Sequence, residues 1–434
     1  MEEEIGNPKK FKFQAPSGMH DILFEDQGYF QKIYKVVEEI ADFYHFQKID
    51  TPILEKTELF SRGVGLATDI VQKEMYTLRT KGGDYLTLRP EGTAPVVRAY
   101  LEHGMQNLPQ PVKLWYFGPF FRHEKPQAGR FRQFHQFGFE VLGEKNPIID
   151  AQIILIFFQI LKELKFKNLL LEINSIGDSQ CRPYYKKLLA NYFRSREASL
   201  CVDCRRRLKE NPLRILDCKE EKCQPVISQA PQMIDHLCQE CHDHFKEVLE
   251  FLDEMEIPYR LNSHLVRGLD YYTRTVFEIS EESEDGKIQG ALVGGGRYDN
   301  LAKLLSRKDI PGCGGAAGIE RIASLLKEKK IKIPVPPASE IFLAQIGDLA
   351  KKKSLKLFEE FRKAKIRVAE SFGRDSLKSQ LGRANRLGAK ITLILGQREA
   401  LEGTIIIRNM KTGSQETVKL ERVVEIVKKY LKHR

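Results

Sequence analysis

At 434 residues the chain is too long for one ordinary hydrophobic core, so two or three domains are expected. A hydrophobic fraction of 42%, a charged fraction of 30% and the lack of any low-complexity tract exclude a disordered chain, and no apolar run approaches the roughly 20 residues of a membrane span. The first ten residues hold no apolar signal core, so a cytoplasmic location without a membrane partner is expected, and the net charge of +11 favours a polyanionic partner, nucleic acid being the usual one.

Residues Gln27 to Phe46 place Phe30, Ile33, Tyr34, Val37, Ile40, Ala41 and Tyr44 at three- and four-residue intervals, the spacing of an amphipathic helix docked on a core. Gln47 to Leu54 reads as a strand that Pro52 demotes to an edge or distorted position, since proline has no N–H to give a ladder. Two aromatic runs, Leu114 to Phe121 and Phe131 to Phe139, read as a long antiparallel hairpin whose loop carries Arg122, His123, Lys125, Arg130 and Arg132. An apolar helix over Ile148 to Leu164 and a strand over Leu169 to Asn174 follow. The charged, cysteine-bearing, helix-leaning region 179–251 looks like an insertion. Strand patterns return at Thr275 to Ile279 and Gly290 to Val293, and a helix at Gly318 to Lys327.

Lys332 to Glu340 carries three prolines and reads as a linker between a domain over 1–331 and a second over 341–434. The second alternates strand (Ile341 to Ile346), helix (Leu349 to Lys363), strand (Ile366 to Ala369), helix (Leu377 to Leu387) and strand (Ile391 to Leu395). Two further strands, Thr404 to Arg408 and Glu416 to Leu420, and a basic helix end it. Such alternation predicts an α/β domain with a mostly parallel sheet, whereas the first domain reads as α+β on an antiparallel sheet.

Six of the eight cysteines fall in one stretch, as Cys201-x-x-Cys204, Cys218, Cys223 and Cys238-x-x-Cys241, and in a large cytosolic chain this spacing reads as zinc before disulfide. The two Cys-x-x-Cys pairs lie farther apart than in common zinc ribbons, and Cys218 and Cys223 compete as ligands. Reduced cysteines in a small packed insert therefore stand beside zinc as a reading, and no metal ligand is assigned.

Common phosphate-binding loops are absent: nothing ends in Gly-Lys-Ser/Thr, and Gly294-Gly-Gly-Arg-Tyr298 lacks the Gly-x-Gly-x-x-Gly spacing. The hairpin offers another route to ATP. Phe121-Arg122-His123-Glu124, a loop, and Arg130-Phe-Arg-Gln-Phe134 supply an arginine that can fork onto a phosphate, an aromatic face for adenine and a basic tip for an RNA end. This pattern resembles motif 2 of the class II aminoacyl-tRNA synthetases, with one departure: the family's acidic position four residues after Phe134 is Gly138, and the carboxylate appears at Glu140. Ile49 to Leu54 resembles motif 1, whose family role is the dimer interface, and Gly314-Gly-Ala-Ala-Gly-Ile-Glu-Arg321 resembles motif 3 with Ala316 replacing the middle glycine. Arg89-Pro-Glu-Gly-Thr93, Arg267-Gly-Leu-Asp-Tyr-Tyr272 and Gly294-Gly-Gly-Arg-Tyr-Asp299 resemble the signatures of bacterial histidyl-tRNA synthetases.

That resemblance implies a class II catalytic domain on an antiparallel sheet with a helical insertion, followed by an anticodon-binding α/β domain. It implies activation of L-histidine with ATP, Mg²⁺ assisting, to histidyl-adenylate and pyrophosphate, then transfer to tRNA(His) by a homodimer. Carried over by position, Glu91, Thr93 and Gln136, with Gly92 among them, would hold the α-ammonium; Glu140 and Tyr272, with Tyr271 and Tyr298 nearby, would line the imidazole pocket. ATP would meet Arg122, Arg130, Phe134 and Arg321, and Arg122 and Arg267 would supply the fixed charge that lets two anions react. Taken alone, Arg267 could instead pair with Asp270, and the tyrosines could be core aromatics. The alternative function is a catalytically silent paralogue regulating histidine biosynthesis; such proteins usually lack the C-terminal domain and erode these signatures, and both are intact here.

Overall fold

The computed structural model describes residues 13–66, 68–125, 130–282, 288–333, 339–373 and 376–432. Most of the proline-rich linker (334–338), the hairpin tip (126–129) and Arg374, His433 and Arg434 lie outside the described residues. The chain divides into two compact units, Met1–Ile333 and Pro334–Arg434.

The first unit begins with α1 (Phe24–Phe43), then β1 (Gln47–Lys48), β2 (Leu54–Lys56), α2 (Thr57–Gly63), β3 (Tyr76–Arg79), β4 (Tyr85–Leu88), α3 (Thr93–Glu102), β5 (Val112–Phe121), β6 (Gln133–Leu142), α4 (Ile148–Glu163) and β7 (Leu169–Ser175). Next come α5 (Cys181–Arg194), α6 (Val202–Glu210), α7 (Gln224–Ile227), α8 (Gln239–Glu254), β8 (Tyr259–Leu261), β9 (Thr273–Glu282), β10 (Ile288–Arg297), α9 (Leu301–Ser306), β11 (Gly312–Gly318) and α10 (Ile319–Glu328). An eight-stranded sheet runs β1-β5-β6-β11-β10-β9-β7-β8, and a three-stranded one β2-β4-β3. The large sheet is antiparallel except for its two edge pairs, β1 with β5 and β7 with β8.

Alternation along the central strands sends successive side chains to opposite faces. Trp115, Phe137, Phe139 and Val141 join Val37 of α1, Ile153 of α4, Val248 of α8 and Ile322 of α10 in the main core. Leu114, Tyr116, Phe120 and Leu142 join a second cluster with Phe60 of α2, Val97 of α3, Tyr271, Tyr272 and Tyr298. The site forms on this second face. Helix α8 lies in the cysteine-bearing region by sequence, yet its Phe245, Val248 and Leu252 are part of the main core.

The single strand expected over Gln47 to Leu54 is two short strands in different sheets. Pro52 is one reason, and Arg89 is the other: its guanidinium donates to the Thr51 carbonyl at 2.7 Å, the Thr51 hydroxyl at 3.0 Å and the Pro119 carbonyl at 3.0 Å, capturing the groups a continuous ladder would use.

The second unit contains β12 (Ile341–Gln345), α11 (Asp348–Lys363), β13 (Val368–Glu370), α12 (Leu377–Arg386), β14 (Ile391–Leu395), α13 (Gln397–Glu402), β15 (Thr404–Asn409), β16 (Gln415–Lys419) and α14 (Val423–Lys432). Its sheet order is β13-β12-β14-β15-β16, with β12 parallel to β13 and β14 but the last two pairings antiparallel. The expectation of a mostly parallel sheet is therefore corrected to half. A parallel crossover needs about a dozen residues or more, and 396–403 is long enough only to reverse the chain.

Candidate functional site

Strand β6 delivers Phe134, Gln136, Gly138 and Glu140 to one face, because they sit two residues apart in a regular strand. Glu140 is fully buried and accepts hydrogen bonds from the Thr93 hydroxyl at 2.7 Å and the Tyr298 hydroxyl at 2.6 Å. Thr93 opens α3, and the Glu91 carboxylate just before it accepts the Thr93 N–H at 2.7 Å and the Ala94 N–H at 3.0 Å, satisfying free donors of that helix. The Tyr271 hydroxyl donates to Glu91 at 3.2 Å, and its ring lies 4.7 Å from that of Tyr272 and 5.9 Å from that of Tyr298. Glu91, Thr93, Glu140, Tyr271, Tyr272 and Tyr298 thus form one buried cluster of carboxylates, hydroxyls and aromatic rings, with Gly92 at its edge.

Glycines make the room. A methyl group at Gly314 would overlap the Glu140 carboxylate, and one at Gly294 would overlap the Arg267 guanidinium. At Gly92 and Gly138 it would lie 2.3 Å from the Tyr116 ring, which is wedged between them. The missing acid at position 138 is explained by this: the residue there must be bare for Tyr116 to reach the pocket, and the carboxylate is supplied one same-face step along, at Glu140.

The alternative pairing of Arg267 with Asp270 is not formed: Arg267 pairs with Glu278 of β9. Asp270 instead accepts from the Asn211 amide at 3.0 Å. Stacked 5.9 Å over the Tyr272 ring, Arg267 is fixed further by the Arg214 guanidinium, which donates to its carbonyl at 2.8 Å. Arg122, at the end of β5, donates to the Pro90 carbonyl at 2.8 Å and lies 5.4 Å from the Phe134 ring centroid. Arg321 donates to the Ala291 carbonyl at 2.7 Å, and Arg130 pairs with Glu124 at 3.2 Å. The buried Tyr116 Oη and Arg267 Nε border this region.

Burial raises the Glu140 carboxyl to about 8, against the Tyr298 and Thr93 hydrogen bonds and with help from the nearby Glu91 charge. The folded state therefore keeps a proton between about 4.5 and 8 that the unfolded chain has lost, so this group alone makes stability fall as pH rises through that window. Burial likewise raises Glu91, opposed by its backbone donors and Tyr271.

Across the whole of residues 18–322 the chain matches the family model described as histidyl-tRNA synthetase. The chain belongs to the histidyl-tRNA synthetase family. Residues 340–430 match the anticodon binding domain model. A histidine–tRNA ligase of Dehalococcoides mccartyi strain 195 is 46% identical over 96% of this chain and 100% of its own length. One from Halothermothrix orenii is 46% identical over 96% and 99%. The apo crystal structure of S. aureus histidyl-tRNA synthetase aligns with a TM-score of 0.76 at 38% identity, over 95% of this chain and 99% of that one.

Within this synthetase framework three residues escape the signature reading. Tyr116 reaches the pocket beside Glu140, and its only sequence signal is that it shares a strand face with Phe120. Glu278 sits one same-face step from Val276 on β9 and has no signal at all. Glu320, inside motif 3, accepts the His135 backbone N–H at 2.8 Å and its ring Nδ1 at 2.7 Å, tying α10 to the β6 strand of motif 2.

Gly138→Ala is expected to displace Tyr116, cost about 1–3 kcal/mol of stability through overpacking, and raise the histidine KM. A G138A variant with normal KM and melting temperature would remove Tyr116 from the pocket.

Proposed function

We infer that the chain activates L-histidine with ATP, releasing pyrophosphate, and transfers the histidyl group to tRNA(His). The observation that carries this is the Thr93–Glu140–Tyr298 hydrogen-bonded set, a buried carboxylate between two hydroxyls. It suits an imidazole, whose two ring nitrogens need an acceptor and a donor or second acceptor at fixed positions. Glu91 and Gln136 suit the α-ammonium. Arg267 and Arg122 supply fixed positive charge where the substrate carboxylate attacks the α-phosphorus of ATP, and Phe134, Arg130 and Arg321 suit the adenine and outer phosphates. Mg²⁺ would travel with those outer phosphates: among the described residues, groups of three or more metal-binding side chains occur elsewhere.

The second unit, with its anticodon-binding family match, supports recognition of tRNA through basic residues such as Lys378, Arg383 and Arg386. Ile53, Leu54, Leu78 and Tyr85 leave apolar surface exposed beside the motif 1 segment, which supports a homodimer. No helix among the described residues is long and apolar enough to cross a membrane, in keeping with the cytoplasmic location proposed.

Histidine-dependent exchange of labelled pyrophosphate into ATP tests the reading. Folded, Mg²⁺-supplied protein without exchange would leave only a silent paralogue. The Glu140 carboxyl adds a pH signature: if its ionised form accepts the imidazole N–H, histidine affinity should rise about fivefold between pH 7 and 8, the window in which a group titrating near 8 loses its proton. Glu140→Gln should bind weakly and without that slope. A flat wild-type profile would deny the carboxylate this role.

A further inference from the structure

The cysteines of the inserted region are not spread through its core; they converge at two points. The Sγ atoms of Cys201, Cys204, Cys218 and Cys223 all lie within 4.8 Å of one another, and Cys201 and Cys218 are 3.9 Å apart. A tetrahedral Zn²⁺ with Zn–S bonds of about 2.3 Å has sulfur–sulfur edges of about 3.8 Å. Backbone donors already face this set: the Cys204 N–H donates to Cys201 Sγ at 3.4 Å, from the first turn of α6, and the Cys201 N–H donates to Cys223 Sγ at 3.2 Å. Such N–H···S contacts stabilise thiolates rather than thiols. A disulfide would use two sulfurs and give no reason for the other two to close on the same point.

We propose that Cys201, Cys204, Cys218 and Cys223 bind one Zn²⁺ as a structural site. The need for it is visible in the packing. This region's own core has sixteen buried residues, of which five are cysteines, so apolar burial alone gives it little stability. The 205–217 segment clamped between the two cysteine pairs carries Arg207, Asn211 and Arg214. Arg207 pairs with Asp69 at 2.9 Å, Asn211 holds Asp270, and Arg214 holds the Arg267 carbonyl. The ion therefore fixes the loop that positions Arg267.

A separate convergence carries a second site. Asp178, Cys181, Cys238 and Cys241 also lie within 4.8 Å of one another, with the Cys238 N–H donating to Cys181 Sγ at 3.1 Å. This set joins the start of α5 to the start of α8 and would take a second Zn²⁺ through three sulfurs and one carboxylate. Cys181 lies outside the cysteine stretch that the spacing marks, and the Cys238-x-x-Cys241 pair belongs here and not with the other four.

Metal analysis of the full-length protein, purified without added metal and exchanged into metal-free buffer, tests both. Two zinc ions per chain are expected. Cys218→Ser with Cys223→Ser should lower the content to one, as should Cys238→Ser with Cys241→Ser. One ion in the wild type, lost only with the first pair, overturns the second site; one lost only with the second pair overturns the first. Less than a fifth of an ion per chain, or iron in place of zinc, overturns the zinc assignment at both. Cys218→His keeps four ligands and should retain the ion even if the serine variants fail to fold. The measurement needs no assay of activity. In the Mg²⁺-supplied assay the Cys218→Ser/Cys223→Ser protein should then show an exchange rate at least tenfold lower while the histidine KM changes less than threefold; equal loss of both would show that the ion does not act through Arg267.

Discussion

Arg267→Ala is expected to abolish histidine-dependent pyrophosphate exchange, lowering it by about 10³-fold, the upper range for removal of one preorganised charged donor. The cause is geometric. Activation brings the histidine carboxylate against the α-phosphate, and in the proposed site Arg267 is a half-buried cation held for that charge by Glu278, the Tyr272 ring and the Arg214 contact to its carbonyl. Histidine itself should still bind within about fivefold, since the groups proposed to face its ring and ammonium, Glu140, Tyr298, Thr93 and Glu91, form their own network. The variant also leaves Glu278 without its cation beside the ATP region. Arg267→Ala with Glu278→Gln should therefore recover part of the ATP affinity but not the rate. Equal losses of histidine binding and exchange would make Arg267 a structural residue.

The second large effect is on stability. Arg297, the arginine of the Gly294-Gly-Gly-Arg-Tyr-Asp299 signature, is 0% exposed, as is its partner Asp150 on α4. Its guanidinium also donates to the Glu144 carbonyl at 3.1 Å, the Asn146 carbonyl at 3.3 Å and Asp299 at 3.1 Å, and His244 of α8 approaches Asp150 at 3.3 Å. Burial pushes the Asp150 carboxyl up, but the Arg297 charge and the His244 contact outweigh it and hold it below the usual carboxylate range. Arg297→Met leaves that carboxylate buried and unpaired, so a loss of about 3–5 kcal/mol is expected. Trp115 is the only tryptophan and lies buried in β5 of the first unit, so its fluorescence during denaturation reports that unit alone. Adding Asp150→Leu should restore much of the loss, because a buried pair replaced by apolar groups costs little. A decrease below about 1 kcal/mol in the single variant would mean that water or His244 compensates the charge.

Arg297 and Arg267 stand near each other in the signatures and look alike as letters. One borders the proposed site and the other is locked behind the sheet, and the signature letters do not separate them. Strand alternation puts Arg297 on the face of Val293, opposite Gly294 and Tyr298, where it meets α4 from a distant part of the chain. The same holds for Glu278, whose value as the Arg267 partner depends on β9 lying beside the 265–272 segment, and for the cysteines, whose grouping into two sets requires Asp178 and Cys181 from the far side of the inserted region.

Strand and helix periods, the hairpin strands and the ordered signatures were legible because they are local: alternation, helical spacing and fixed offsets are written within a dozen residues. They were enough to assign the α+β and α/β architecture, the synthetase family and the placing of Phe134, Gln136 and Glu140 on one face, which strand geometry alone gives. What tertiary structure decided was partnership. Which carboxylate meets Arg267, why position 138 must be glycine, where the strand at Pro52 breaks and which four ligands converge on each point all depend on approaches between segments far apart in the chain. Those approaches are set by packing and by the pairing of buried polar groups, whose energies act through space and leave no mark on the spacing of neighbouring residues.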